Sequence, residues 1–270
     1  MTTFDIKQSL PSTLELPCSD DTPVDNEDQN LLPNLLLMLL THLWADRMDW
    51  FFAVDMAVYH TTGTSHRVPV VPDAFLSLGV SRLKNGDTRF SYATWEENDI
   101  IPILALETVS KKYGDEYEDK MAIYEKLGVL YYVVYNQKFW SRDKHKPFEV
   151  YKLVNGEYRL QIGEPYWMPE VGLGIGRYQT TFGNIPKEIL TWYDEKGTRL
   201  LSAEEWQSAR AEQERMRAEQ EKARAEQERT RAEQEKARAE QERTRAEKVI
   251  ARNKQLEQIL RESGIDPNEI

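Results

Sequence analysis

Residues 100–110 read Ile-Ile-Pro-Ile-Leu-Ala-Leu-Glu-Thr-Val-Ser, and this stretch decides the fold. Its first seven residues are apolar on both faces of an extended chain, which predicts a central strand covered on both sides. The run ends at Glu107. A buried carboxylate costs free energy unless it is paired or binds a metal. The stretch therefore predicts a buried sheet and a candidate site at one end of its central strand.

Two further acids interrupt apolar runs outside this strand. Asp73 lies inside the run V-V-P-D-A-F-L, and Asp55 follows F-F-A-V. If the three strands converge, their acids form an oxygen-only site suited to Mg²⁺, which takes one or two carboxylates and keeps several waters. Buried ion pairing is the alternative for Asp73 and Glu107. Asp55 is equally consistent with a supporting residue beside the site and with an ordinary acid at a strand end.

The order of elements indicates a mixed α/β domain with a mixed central sheet flanked by helices. The expected elements are a helix at Leu31–Trp44, strands at Trp50–Tyr59, Val68–Val80 and Ile100–Ser110, a helix at Asp115–Leu127, a strand at Val129–Tyr135, and a hairpin of Phe148–Val154 and Glu157–Ile162. Asn155-Gly156 between the last two runs is a strong hairpin signal. Gly172, Gly174 and Gly176 lack the spacing of a phosphate loop and predict a thin strand at the edge of the sheet.

The second predicted helix carries a lysine on its inward face. Tyr117, Lys120, Tyr124 and Leu127 follow a helical spacing of three, four and three residues, so they share one stripe. A lysine on an aromatic, core-facing stripe requires a negative partner. An ordinary ion pair is the alternative to a role in a site, and the neighbouring acids that could form it are Asp115, Glu118 and Asp119.

Charge and composition exclude several classes of protein. The chain has 35 Lys and Arg against 46 Asp and Glu, a net charge of −11, which excludes an overall basic nucleic-acid binder. Its one cysteine, Cys18, excludes an intramolecular disulfide framework and a cysteine-rich zinc module. The sequence contains no G-x-S-x-G motif, so nothing in it indicates a serine hydrolase. The chain begins without a secretory signal, and its most apolar run is too short for a membrane span, so we expect a cytoplasmic protein.

The chain divides into four predicted segments. Residues 1–28 hold seven acids against Lys7 and are expected to form a disordered acidic arm. Residues 29–203 form the α/β domain. Residues 204–263 contain seven-residue repeats of the type A-E-Q-E-R-M-R and predict a long, solvated helix, with a weak coiled coil as the alternative. Residues 264–270 are a tail.

One segment combines cations with aromatic side chains. Its members, together with two lysines that follow the central strand, are the candidate DNA contacts: Lys111, Lys112, Lys138, Trp140, Arg142, Lys144 and Lys146. Phosphate contact and base stacking use such residues. A solvated loop between strands would have a similar composition, so both interpretations remain open.

Several of these motifs together resemble a known family. They are V-P-D-A-F-L-S-L-G-V at 71–80, W-E-E at 95–97, L-A-L-E-T-V-S at 104–110 and K-x-x-x-Y-x-x-x-G-V at 120–129. In order and spacing the chain resembles the Uma family of restriction endonucleases, within the PD-(D/E)xK nuclease superfamily. The similarity extends from about residue 30 over nearly the whole chain, including the charged tail.

The resemblance implies a restriction-endonuclease-like core that hydrolyses DNA phosphodiester bonds. It implies Mg²⁺, or alternatively Mn²⁺, held by Asp73, Glu107 and the backbone carbonyl of Thr108. The superfamily places its catalytic lysine two residues after the Glu, where this chain has Val109. Lys120 matches the family spacing and is the candidate for a relocated lysine. Ser110 and Asp55 are candidate supporting residues around the metal.

A function from another class remains open. Val109 at the usual lysine position favours a non-catalytic nuclease-fold module that binds nucleic acid or protein and assembles through its C-terminal helix. A homodimer through that helix is compatible with either function. The position of Lys120 discriminates between them, because a catalytic lysine must lie close to both carboxylates.

Overall fold

The computed structural model describes residues 10–12, 15, 27–110, 116–262 and 264. Most of the predicted acidic arm, most of the predicted tail, Cys18, Asp115, and the candidate DNA contacts Lys111 and Lys112 lie outside these residues. The chain divides into two compact units, Met1–Ala203 and Glu204–Ile270.

The first unit combines helices with a larger number of strands. Its elements are α1 (Glu27–Leu43), β1 (Trp50–Val54), β2 (Val58–Tyr59), β3 (Ala74–Leu78), β4 (Tyr92–Ala93), β5 (Leu104–Thr108), α2 (Asp119–Leu127), β6 (Tyr131–Tyr135), α3 (Trp140–Asp143), β7 (Phe148–Val154), β8 (Glu157–Leu160), β9 (Tyr166–Met168), β10 (Leu173–Phe182) and β11 (Ile185–Tyr193). This content confirms the predicted mixed α/β class.

Six of these strands form a mixed central sheet in the order β1-β3-β5-β6-β7-β8. β5 and β6 are parallel, and the other neighbouring pairs are antiparallel. The predicted hairpin joins β7 to β8, and its two turn residues, Asn155 and Gly156, both have positive φ angles, at 55° and 84°. That backbone is the one an Asn-Gly hairpin turn requires.

The central strand is covered on both faces, as its apolar run predicts. Leu104 and Leu106 pack in a hydrophobic cluster that includes α1 and the strands β10 and β11. Ala105 and Val109 pack in a second cluster that includes α2. Every residue of β5 is buried. The end of this strand is therefore a site with little water on either face.

The glycine-rich strand was predicted at the wrong place in the fold. β10 is the middle strand of a separate three-stranded sheet, β11-β10-β9, and not an edge strand of the central sheet. The alternating glycines allow neighbouring segments to approach the β10 backbone closely, and they do not mark an edge strand. A Cβ on Gly176 would lie 3.0 Å from the Cα and Cβ atoms of Pro165, and one on Gly174 would lie 3.2 Å from the Cβ atom of Tyr193.

Several elements have other bounds than their sequence patterns predict. The run Trp50–Tyr59 breaks at Asp55, whose φ of 52° ends β1, and β2 then leaves the central sheet to pair with β4. The run Val68–Val80 forms a strand only from Ala74, with an isolated bridge at Val70. α1 begins four residues before the predicted start at Leu31. Apolar sequence reports burial, and a segment can be buried without joining the ladder.

The second unit contains one long helix, α4, which spans Ala203–Glu262. Side-chain ion pairs at i,i+4 and i,i+3 run along it, including Arg229–Glu233 at 3.2 Å and Arg215–Glu212 at 3.0 Å. Val249, Ile250, Leu256 and Ile259 are exposed near its end. A coiled coil through this end remains a prediction. None of the described helices is both long and apolar enough to cross a membrane.

The close approach at Gly176 generates a stability prediction. Replacing Gly176 with Ala should lower the free energy of unfolding by about 1–3 kcal/mol, because the new methyl group meets a rigid proline ring. Urea denaturation followed by tryptophan fluorescence measures the change. Thr181→Ala, at an exposed position of the same strand, is the control and should change the value little. If Gly176→Ala proved as stable as Thr181→Ala, the segment at Pro165 could move away from β10 without a cost in free energy, and the prediction would be wrong.

Candidate functional site

The candidate site lies where β3 begins and β5 ends. The antiparallel register pairs Ala74 with Leu106, so Asp73 is placed beside Glu107. The Asp73 side chain reaches the next residue of β5, and its Oδ2 atom accepts a hydrogen bond of 2.6 Å from the backbone N–H of Thr108. Two acids that are 34 positions apart in the sequence thus meet at one edge of the sheet.

Glu107 is the most constrained residue of the site. Its side chain is 1% exposed, and both of its oxygens accept hydrogen bonds from α2. Lys120 Nζ donates to Oε2 at 2.8 Å, and the Tyr124 hydroxyl donates to Oε1 at 2.7 Å. Because Lys120 and Tyr124 are four positions apart on a helix, they lie on one face and reach the same carboxylate.

Lys120, predicted on the inward stripe of the helix, therefore lies at the edge of the sheet that carries Asp73 and Glu107. Besides Glu107, its Nζ atom donates to the backbone carbonyl of Val71 at 3.2 Å, two positions before Asp73. Val109, two positions after Glu107 on the same strand, is buried in the α2 cluster. The position at which the superfamily carries its lysine is thus part of the core. The ammonium group that contacts Glu107 belongs instead to Lys120 of α2.

The electrostatics of this cluster are dominated by burial. Burial and the neighbouring Glu107 charge raise the pKa of Asp73 to about 8. Burial also raises the pKa of Glu107, although Lys120 and Tyr124 oppose that change. For Lys120 burial acts to lower the pKa, but the Glu107 carboxylate outweighs it and the pKa is raised. One ammonium group thus faces two carboxylates, and the cluster carries an excess negative charge when both ionise.

The donor set fits a hard divalent cation. Asp73 and Glu107 supply carboxylate oxygens, each of which can accept more than one contact. The backbone N–H of Val109 donates to the Tyr135 carbonyl of β6. Because successive residues of a strand direct their backbone groups to opposite sides, the Thr108 carbonyl faces away from β6. Oxygen-only ligands with two carboxylates suit Mg²⁺ or Mn²⁺. Within the described residues, no group of three or more His, Cys, Asp and Glu side chains is arranged to hold a metal.

The two supporting candidates occupy different positions. Asp55 is exposed at the end of β1, and its backbone N–H donates to the backbone carbonyl of Asp73 at 3.1 Å. It therefore contacts the Asp73 backbone, next to the site. Ser110 is half-buried two positions beyond Thr108.

The cationic segment lies at the same edge of the sheet. It follows β6, which is parallel to β5, so both strands end at this edge. Trp140, Arg142, Lys144 and Lys146 are exposed there. Arg142 is paired with Asp143 and stacks over Phe139, whereas Lys138 contacts Asp28 of α1. The structure thus brings five of the seven candidate DNA contacts to the edge that carries the carboxylates.

Two residues of the site were not identified from the sequence. Tyr124 was placed on the inward stripe, but its contact with Glu107 was not foreseen. Gln29, in the first turn of α1, donates from Nε2 to the Thr108 carbonyl at 3.4 Å. No sequence signal identifies Gln29, because its partner lies 79 positions away.

Comparison with known proteins agrees with the sequence motifs. The family model Uma2, described as "Putative restriction endonuclease", matches residues 21–180, which is 160 of the 270 residues. A solved structure of a putative nuclease belonging to DUF820 from Anabaena variabilis is 12% identical, with a TM-score of 0.39, over 54% of this chain and 74% of that chain. No curated protein matches the chain.

The Tyr124 contact can be tested without any assumption about function. Replacing Tyr124 with Phe removes one donor from a buried carboxylate and should lower the free energy of unfolding by about 1.5–3 kcal/mol. Tyr158→Phe removes a hydroxyl that donates to the neutral Val129 carbonyl at 2.7 Å, and about 0.5–1.5 kcal/mol is expected there. Urea unfolding of both variants measures the difference. If Tyr158→Phe lowered the free energy of unfolding more than Tyr124→Phe does, the contact between Tyr124 and Glu107 would not be the more stabilising of the two.

Proposed function

This chain belongs to the Uma2 family, whose members are described as putative restriction endonucleases, and from this membership we propose that it is a metal-dependent endonuclease that hydrolyses DNA phosphodiester bonds. The observation that supports the proposal most strongly is the contact of 2.8 Å between Lys120 and Glu107, beside Asp73. An acid pair with an ammonium group is the residue set of the PD-(D/E)xK nucleases that the sequence resembles, although here the lysine comes from another element.

In this proposal Asp73, Glu107 and the Thr108 carbonyl hold Mg²⁺ or Mn²⁺. When bound, such an ion would activate a water molecule for attack and polarise the scissile phosphate. The chain contributes the orientation of the ligands. The backbone N–H of Thr108 fixes Asp73, and Tyr124 fixes Glu107.

Lys120 is the proposed catalytic lysine. Its ammonium group is anchored between the Glu107 carboxylate and the Val71 carbonyl, so it needs little reorganisation when negative charge develops on a phosphate oxygen. In the same place it can orient an attacking water. The raised pKa keeps this group charged at neutral pH, with Glu107 supplying the attraction that overcomes burial.

The alternative is a nuclease-fold module that binds without cleaving. The buried Val109 at the usual lysine position favours it. Assembly would then use α4, whose exposed apolar residues lie near its end. The two functions predict different results in a cleavage assay.

The first test is nicking of supercoiled plasmid with Mg²⁺, with Mn²⁺ and with EDTA. Cleavage should depend on the metal and should fall by about 10²- to 10³-fold or more in Asp73→Ala, Glu107→Ala and Lys120→Ala. Glu195→Ala, at an exposed position, is the matched control and should cleave as the wild type does. The enzyme proposal fails if none of the metals tested supports cleavage by the wild type and calorimetry detects no Mn²⁺ binding. The binding module then replaces it.

A second test separates the role of the lysine from that of the carboxylates. Asp73→Asn should weaken Mn²⁺ binding in calorimetry and abolish cleavage together. Lys120→Met should abolish cleavage while Mn²⁺ binding is kept or strengthened, because a nearby positive charge has been removed. Lys126→Met, on the exposed side of the same helix, is the control. Full cleavage by Lys120→Met would mean that Lys120 only neutralises Glu107.

A further inference from the structure

An open cleft of about 670 Å³ lies next to the edge of the sheet that carries Asp73 and Glu107, here called the catalytic edge. Three parts of the first unit line it: the first turn of α1, the segment after β6, and the β10–β11 strands. The lining residues that carry the argument are Asp28, Lys138, Trp140 and Lys187. None of the four belongs to the candidate metal site, and Asp28 and Lys187 are not among the candidate DNA contacts of the sequence either.

Two lysines from different elements converge on one carboxylate in this cleft. Lys138 Nζ lies 2.8 Å from Asp28 Oδ2, and Lys187 Nζ lies 2.8 Å from Asp28 Oδ1. Lys187 also contacts Glu27 Oε1 at 3.0 Å. Burial acts against ionisation of Asp28, but the two lysines outweigh it and hold its pKa below the ordinary value. The two lysines thus form a cationic pair that holds the Asp28 carboxylate, and Lys187 shares its charge with Glu27 as well.

The site is continuous with the proposed catalytic edge. Asp28 and Lys138 also line a small cavity of about 20 Å³ whose other wall includes Thr108 and Val109. Gln29, the residue after Asp28, contacts the Thr108 carbonyl. A chain of phosphates that runs through the cleft would thus pass beside the end of β5.

We propose that Lys138 and Lys187 bind backbone phosphates of the DNA substrate, and that Asp28 occupies this site in the free protein. The inference rests on the proposed nuclease function and extends it to substrate binding. A phosphodiester, like a carboxylate, offers oxygen acceptors with one negative charge, so a phosphate can take over the contacts that Asp28 makes with the two lysines. DNA binding then requires the contacts between Asp28 and the two lysines to break, which weakens the affinity of the free protein for DNA.

The surroundings support phosphate contact at these two lysines in particular. Arg177 also lines the cleft, but it is held by Glu164 through two hydrogen bonds of 2.8 Å. Lys138 is 63% exposed, so its side chain can move to a ligand, and Lys187 is 15% exposed and fixed at the wall. Trp140 presents an exposed ring at the same cleft.

The test measures binding of a fluorescent DNA duplex by anisotropy, in EDTA so that no cleavage occurs, at several salt concentrations. Lys138→Gln/Lys187→Gln should bind about tenfold more weakly, and its plot of log affinity against log salt should be less steep by about two. Asp28→Asn should bind several-fold more tightly, with a plot steeper by about one. Thermal melting of each variant checks that folding is unchanged.

The matched control is the ion pair of Lys152 and Glu170, at 2.6 Å. Lys152 lies opposite Tyr131, at the other end of β6 from the catalytic edge, so Lys152→Gln and Glu170→Gln should leave the affinity unchanged. If the wild type nicks plasmid but none of the cleft variants alters DNA affinity, the site is overturned and the nuclease function stands. If the wild type neither nicks nor binds DNA, both fail.

Discussion

The structure depends on the satisfaction of one buried carboxylate. Glu107 ends a strand that is covered on both faces, and a charge in such a position is destabilising unless hydrogen-bond donors surround it. Both donors to its side chain come from α2, which is only nine residues long. The same two contacts that dock α2 on the sheet therefore build the candidate site. A change to either donor therefore affects the packing of α2 as well as the candidate site.

The topology of the sheet then decides what else surrounds the carboxylate. The antiparallel register of β3 brings Asp73 to it, and the parallel register of β6 directs the cationic segment to the same edge. The first turn of α1 lies against that segment through Asp28. Candidate ligands, the candidate lysine and the lysine cleft thus share one edge because of strand direction rather than sequence proximity.

The sequence predicted the central strand, both acids and the inward face of Lys120, because each depends on a short local pattern. It did not predict which partner Lys120 meets, since periodicity identifies the face of a helix but not what lies opposite. Contacts across long separations left no local signal either, and Asp28 and Lys138 are 110 positions apart. The second sheet was missed because the glycines of β10 serve close approach to Pro165, a segment whose position the pattern does not contain.

The supply of the lysine from α2 has a consequence for heat resistance. A helix of nine residues is marginal by itself in water and persists through its packing on the sheet. Detachment of this one helix would separate the ammonium group from the acids while the six-stranded sheet stayed folded. On the proposed role of Lys120, turnover would then decline reversibly at temperatures below the global melting transition. A nuclease with both residues on one strand would keep them together until the sheet itself unfolded.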